Sequence, residues 1–398
     1  MGTDAMQSLL STYQKTFGST DGKRPLAVRA PGRTELAGNH TDHEGGNVIA
    51  AAVDRYIEGV FVPSDDGVMH VLSEGYGLVE VACDELEARE EERGTTASLV
   101  RGMAAQFANR DVVPSGFSAV LRSDVLGGSG LSSSAAFELE LGQAMNAPWA
   151  DGAIEPAELA MMAQRAEREW FGKPCGLMDQ AAVALGGVQH MDFFDSTKLK
   201  AEGIDFDFGA AGYAVCIVAV GADHSANIDD YAAVPGEMQA VARELGAEVL
   251  SQVSEQDVIA ALPQLRASLG DRAALRALHY YREERLVARR VAALKAGDVD
   301  AFLALTRLSG ASSAMYLQNV SVGGTSDQPS MLAIALAEEL LEDRGVVRVH
   351  GGGFGGTIQA FVRKEAVNGF AAGMDAVFGE GACGVYGIDH EGAKAWWM

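Results

Sequence analysis

Gly127-Gly128-Ser129-Gly130-Leu131-Ser132-Ser133-Ser134 is the stretch on which the fold turns. Just before it, Phe117, Ala119 and Leu121 alternate with smaller or polar residues, which predicts a strand. Just after it, residues 135–145 (AAFELELGQAM) predict a helix. A glycine-rich turn between strand and helix lets several backbone N–H groups converge on one anion. The start of the helix adds its own unpaired N–H groups and its positive dipole end. The serines suit a helix cap, hydroxyl donation or metal ligation. Taken alone, the stretch fits an anion site and a well-capped tight turn equally well. It is not a P-loop, because no lysine follows the glycines. A dinucleotide fingerprint needs Gly or Ala where Ser133 stands, and it normally opens the first βα unit of its fold.

Working outward, residues 97–107 carry Leu99, Val100, Met103, Ala104 and Phe107 at helical spacing. A further helix is predicted from Pro156, a good first-turn residue, to Trp170, with Gly172 and Pro174 ending it. Residues 213–220 form an apolar, β-rich run that predicts a buried strand and the opening of a second domain. The boundary falls near residue 205, giving domains 1–205 and 206–398. Helices are expected over 235–245, 273–296 and 330–342. Strands over 346–350 and 358–362 would flank a second glycine cluster, His350-Gly351-Gly352-Gly353-Phe354-Gly355-Gly356. The mixture predicts an α+β fold and not a regular βαβ alternation.

Near the start, residues 27–30 predict a short strand, and 31–47 (PGRTELAGNHTDHEGGN) read as a polar loop. Arg, Asn, Asp, Glu and two His in so short a span offer both hydrogen-bonding senses. That suits a polyhydroxylated ligand, each of whose buried hydroxyls needs a partner. His40, Asp42 and His43 could also suggest a metal, but no third partner stands at ligand spacing.

The balance of 55 acidic against 31 basic residues gives a net charge of -24. Nucleic acid is excluded, since neutralising phosphates takes Lys and Arg, and so are anionic membrane surfaces. The longest apolar run, 210–222, is too short to span a bilayer. Residues 1–17 lack a sustained apolar core, so no secretory signal is expected. The four cysteines show no paired spacing, which signals neither zinc nor disulfides. The charged segment 84–93 reads as a solvated turn or helix face. A cytoplasmic location is expected, with a monomer or weak oligomer.

Three segments together resemble the GHMP kinase superfamily and, within it, the galactokinase family. Gly32-Arg33 through Asn39-His40-Thr41-Asp42 is similar to the family's N-terminal signature. Residues 128–136 (GSGLSSSAA) are similar to its phosphate loop, and 351–356 to its C-terminal glycine motif. A fourth match, Cys175-Gly176-Leu177-Met178-Asp179-Gln180, resembles the stretch that carries the family's catalytic aspartate. The resemblance implies a two-domain GHMP kinase fold with the active site between the domains, acting on a small sugar with ATP and Mg²⁺. It implies Arg33 and Asp179 as the catalytic pair. Gly128, Ser129, Gly130, Leu131, Ser132, Ser133 and Ser134 would bind the nucleotide phosphates. Ser134 and Glu167 would hold Mg²⁺. Asn39, His40, Thr41, Asp42 and Tyr231 would bind the sugar, Tyr231 lying in a segment (223–231) similar to the family's sugar-contacting one.

The expected reaction is phosphorylation of galactose at its anomeric hydroxyl. One departure bears on the sugar: the family usually carries Glu where Asn39 stands, and Asn adds a donor while losing a charged acceptor. N-acetylgalactosamine or arabinose are the alternative substrates. A catalytically silent sugar sensor is disfavoured by the intact Arg33, Asp179 and 132–136 run. A nucleotide-dependent oxidoreductase lacks the acidic residue that should follow a first βα turn.

Overall fold

The computed structural model describes residues 2–125, 127, 129–195, 197–221, 228–322, 325–354 and 356–398. Among these, the chain forms β1 (Leu26–Ala37), β2 (Asn47–Pro63), β3 (Val68–Ser73), β4 (Gly77–Ala82), β5 (Phe117–Ser123), β6 (Val188–Asp192) and β7 (Lys200–Ile204). It continues with β8 (Tyr213–Ala219), β9 (Gly345–Val349), β10 (Thr357–Arg363), β11 (Cys383–Tyr386) and β12 (Lys394–Trp397). An eight-stranded sheet runs in the order β12-β1-β2-β5-β3-β4, with β6 and β7 added beside β2. A second, four-stranded sheet has the order β11-β8-β10-β9. The chain's last strand thus returns to pair with β1 in the first sheet.

The helices are α1 (Gly2–Phe17), α2 (Thr96–Ala108), α3 (Ser133–Trp149), α4 (Pro156–Ala166), α5 (Met178–Leu185) and α6 (Ile228–Glu244). Then come α7 (Glu255–Ser268), α8 (Asp271–Lys295), α9 (Val299–Ser312), α10 (Pro329–Leu341) and α11 (Val367–Phe378). Helices α2 to α5 bury Val100, Met103, Leu139, Leu159 and Val183 against the first sheet. Helices α10 and α11 cover the second sheet through Ala333, Phe370 and Met374. Between the sheets lies a cluster containing Leu36, Ile49, Phe208, Phe302 and Phe361, with Phe208 and Phe361 ring centroids 5.1 Å apart. Among the described residues, no helix is long and apolar enough to cross a membrane. The four cysteines are free thiols.

Three expectations need correcting. Strand β1 does not stop at residue 30 but continues to Ala37, paired with β2 along its length. The register shifts between Pro31 and Gly32, and such an irregularity is where a strand tolerates a residue without N–H. Thr34 and Glu35 are buried there, so their polarity is met by other side chains and not by water. Helix α6 begins at Ile228, leaving Pro235 inside it. Asp229 and Asp230 favour the early start through the helix dipole, and buried Val234 and Met238 hold it to its neighbours. Segment 84–93 is not wholly solvated: Glu92 receives Arg101 Nε at 2.8 Å, and Arg101 is buried.

Candidate active site

The glycine–serine turn joins β5 to α3 and lies against β1. Arg33 N–H donates to the Leu131 carbonyl at 3.0 Å, while the Leu131 side chain is buried in the core. Arg33 Nη1 donates to the Gly130 carbonyl at 2.5 Å. The turn is therefore pinned through its carbonyls. Gly130 has φ of +75°, and a Cβ there would lie 2.7 Å from Thr357 Oγ1 on β10, so only glycine fits. Ser132 sits in the left-handed region with φ of 59° and makes no side-chain cap on α3. The expected serine cap is absent because the Ser132 hydroxyl donates to Asp179 instead. The N-cap residue of this 17-residue helix thus gives its first N–H groups no side-chain bond, which suits an anion site. Ser129, Ser133 and Ser134 stay partly exposed along the turn. Gly128 lies outside the described residues.

Asp179, in the first turn of α5, is gripped by Arg33 through two parallel bonds: Nε to Oδ1 at 2.7 Å and Nη2 to Oδ2 at 2.8 Å. Such fork-to-fork pairs fix geometry as well as charge. Burial alone would raise the Asp179 pKa. The Arg33 guanidinium, with help from Lys173 and the Ser132 hydroxyl, outweighs burial and holds it down at about 2.

Glu167 is not a solvated helix residue. It begins a π-helical turn, Glu167–Phe171, a distortion frequent at functional sites, and it is 1% exposed. Oε1 accepts from Ser134 Oγ at 2.8 Å and from Lys173 Nζ at 2.9 Å. Oε2 accepts from Gln180 Nε2 at 2.7 Å, and that amide also reaches Glu138 Oε2 at 3.1 Å. Burial, then the Glu167 charge, pushes the Glu138 carboxyl well up. Ser134 and Glu138 stand four apart, hence on one face of α3. That spacing is the signal in the sequence that could have found Glu138. Ser134 and Glu167 are thus brought together, as a shared divalent cation requires. One or two protein oxygens beside the phosphates is the usual Mg²⁺ arrangement, so the donor set fits.

A third cluster gathers His40, His43 and Tyr231. His40 Nε2 meets the Gly352 carbonyl at 3.0 Å, which makes Nε2 the protonated nitrogen. Nδ1 is buried and has no partner among the described residues, which leaves one acceptor unspent. Tyr231 lies 5.4 Å from His40 and 6.4 Å from His43, ring centre to ring centre. A Cβ on Gly352 would meet Tyr231 Cε2 at 2.2 Å, so the second glycine cluster makes room for this tyrosine. Asp42 Oδ2 packs on Gly176, where a Cβ would lie 2.1 Å away. Residues 222–227 of the segment leading to Tyr231, and Gly355, lie outside the described residues. Among the described residues no three His, Cys, Asp or Glu gather as metal ligands, and the His43 ring lies 5.9 Å from that of His40.

Two expected sugar ligands are placed elsewhere. Asn39 is fully buried. Its Nδ2 donates to the Gly351 carbonyl at 2.6 Å, and its Oδ1 accepts from Asn319 Nδ2 at 2.8 Å and Ser313 Oγ at 3.1 Å. Thr41 Oγ1 is spent on the Asn47 and Gly38 carbonyls at 2.7 and 3.0 Å. Both hold the signature segment in shape from beneath. Thr41 bonds to nearby backbone first, as short polar side chains in a tight turn do, whereas Asn39 is taken by partners remote in the sequence. The sequence reveals neither Asn319, whose partner Asn39 lies 280 positions away, nor Lys173, which the π-turn brings back onto Glu167.

Burial, with His43 adding to it, pulls the His40 pKa down from 6.5 to about 3. The unfolded chain takes up a proton here below about pH 6.5 and the folded one does not. His40 therefore contributes stability that is intact above that pH and is lost as pH falls toward 3. Imidazole ¹⁵N shifts followed in acid should show His40 neutral, with its proton on Nε2, at pH values of about 5 where an ordinary histidine is charged. A protonated ring there would contradict the buried geometry.

Residues 98–187 match the family model described as "GHMP kinases N terminal domain", and residues 11–61 match "Galactokinase galactose-binding signature". The galactokinase of Streptomyces coelicolor is 32% identical over 383 residues, covering 93% of this chain and 92% of that protein. The galactokinase of Thermotoga petrophila is 30% identical, covering 86% and 90%. In three dimensions, a crystal structure of Lactococcus lactis galactokinase complexed with galactose superposes with a TM-score of 0.82 at 22% identity, covering 99% of this chain and all of that one. A mevalonate kinase crystal structure gives a TM-score of 0.65 at 14% identity, with 92% and 99% covered.

Proposed function

This chain belongs to the galactokinase family of the GHMP kinases, and we propose that it transfers the γ-phosphoryl group of ATP to the anomeric hydroxyl of galactose. The observation that carries this reading is the bidentate Arg33–Asp179 pair, set at the head of α3, where Ser132 bonds to Asp179 and makes no helix cap. Phosphoryl transfer asks the protein chiefly for positioning and charge stabilisation. The turn from Ser129 to Ser134 receives the phosphates on its N–H groups and hydroxyls. Arg33 neutralises charge on the transferring group while fixing Asp179. Asp179 orients the sugar hydroxyl and takes its proton late. A carboxylate with a pKa near 2 is a weak base, but a loose transition state acidifies the hydroxyl before the proton must leave. Ser134 and Glu167 would hold Mg²⁺, which supplies further neutralisation of the phosphate charge.

His40, Asp42 and Tyr231 contact the sugar, His40 through its unpaired Nδ1. Asn39 has its amide committed to protein partners, which supports galactose despite the departure at that position. We take the site to lie between two domains, 1–205 and 206–398, with the last strand, β12, crossing back to pair in the sheet of the first. The acidic charge and free thiols support a cytoplasmic enzyme. A coupled assay with galactose, N-acetylgalactosamine and arabinose tests the assignment. The expected result is the highest kcat/KM with galactose; no turnover with galactose sinks it.

A further inference from the structure

Lys173 is a cation that nothing in the sequence reading placed in the site. The π-turn puts it there: Gly172 and Lys173 N–H both donate to the Glu167 carbonyl, at 2.9 and 3.1 Å. This closure folds residues 172–177 back over Glu167. Its ammonium then rests on Glu167 Oε1, the same oxygen that Ser134 touches. Glu167 is buried, but the Lys173 side chain is 51% exposed, so the ammonium covers the carboxylate from the open side. It also lies close enough to Asp179 to act on its charge.

The other cation of the site is committed. Arg33 spends Nε and Nη2 on Asp179 and Nη1 on Gly130. Lys173 has three N–H donors and gives one to Glu167. The glycine–serine turn carries no lysine of its own. A polyphosphate chain on that turn, reaching toward Ser134, would come alongside the ammonium. A divalent cation on Ser134 and Glu167 would have to take Oε1 from it.

We propose that Lys173 is a phosphate-binding residue of this kinase, released from Glu167 to the nucleotide's phosphate oxygens as the divalent cation takes Glu167 Oε1. The inference rests on the ATP-dependent kinase assignment. Its consequence is a trade. Without metal, Lys173 has to neutralise phosphate charge alone. With metal, the two share the task, so losing Lys173 costs less.

Calorimetric binding of ADP to the full chain, with excess Mg²⁺ and separately with EDTA, reads this directly. A charge-assisted bond of the strength found for ammonium and phosphate predicts that Lys173→Met weakens metal-free ADP by about tenfold or more. Binding of Mg-ADP should weaken by less than about threefold, because the cation covers the loss. Lys173→Arg should restore metal-free binding to within about threefold, since it keeps a charged donor. Glu167→Gln should do the reverse, costing Mg-ADP affinity while sparing metal-free ADP. Equal losses in both conditions, or none in either, would mean that Lys173 merely pairs with Glu167, and the proposal fails. If the unaltered chain binds no Mg-ADP at all, the kinase assignment itself fails, and the two failures are told apart.

Discussion

Replacing Asp179 by Asn is expected to lower kcat by about 10²- to 10⁴-fold, the range for losing a group that positions and accepts a proton. The substitution preserves shape but removes the charge that Arg33 is built around. Arg33 is buried, which by itself would lower its pKa, and Asp179 reverses that. In the variant Arg33 faces a neutral amide with one acceptor in place of two. It is then free to drift from the line between phosphate and hydroxyl. The turn from Ser129 to Ser134 is held by the Gly130 and Leu131 carbonyls, so Mg-ADP affinity should change by less than about threefold. A loss confined to kcat marks an interaction made in the transition state. Turnover surviving within a few-fold would reduce Asp179 to a turn residue that merely anchors Arg33.

Replacing Arg348 by Met is expected to cost about 3–5 kcal/mol of folding stability, because it strands a buried carboxylate. Arg348 reaches across from β9 to form an ion pair with Glu35 on β1. Both are almost wholly buried. Arg348 also donates to the Val349 carbonyl at 2.9 Å. Beside the pair, Gln359 Nε2 holds Thr34 Oγ1 at 2.6 Å and the Glu35 carbonyl at 2.9 Å. These bonds tie the first sheet to the second directly beneath Arg33.

Burial raises the Glu35 pKa, and Arg348 opposes the rise. Without Arg348 the rise is unopposed. The sign of the pH dependence follows: a carboxyl with a raised folded pKa binds its proton more tightly folded than unfolded. Acidification then relieves the buried charge, so the deficit shrinks as pH falls from 7 toward the unfolded carboxyl range of about 4. Urea unfolding at neutral and mildly acidic pH measures both effects. The double variant Glu35→Gln with Arg348→Met should recover part of the loss, since no charge is then stranded. A cost below about 1 kcal/mol for Arg348→Met would show that water or another group reaches Glu35.

Much of the site could be read in the chain because its parts are local. The turn 127–134 and the helix after it are contiguous, and so are Gly176 and Asp179. Neighbouring residues constrain one another's backbone, so spacing carries information there. Errors arose where a distant partner overrode local tendency. Residues 31–37 look like a loop, yet β2 pairs with them and buried groups meet their polarity. Pro235 looks like a helix start, yet the helix around it begins at Ile228 and packs on both sides of it. Asn39 looks like a ligand, yet Asn319 and Ser313, remote in sequence, take its carbonyl.

By itself, then, the sequence determined the glycine turns, the α+β composition and the acidic balance. These depend on residue type and on spacing along one element. Only the tertiary structure decided which polar groups face the cleft and which are spent within the protein. It turned Asn39 and Thr41 inward, left His40 Nδ1 without a partner among the described residues, and set Lys173 on the Glu167 carboxylate. The physical reason is that a polar side chain is satisfied by whatever the fold brings within about 3 Å of it, whether a neighbour in the chain, as for Thr41 and Lys173, or a remote segment, as for Asn39.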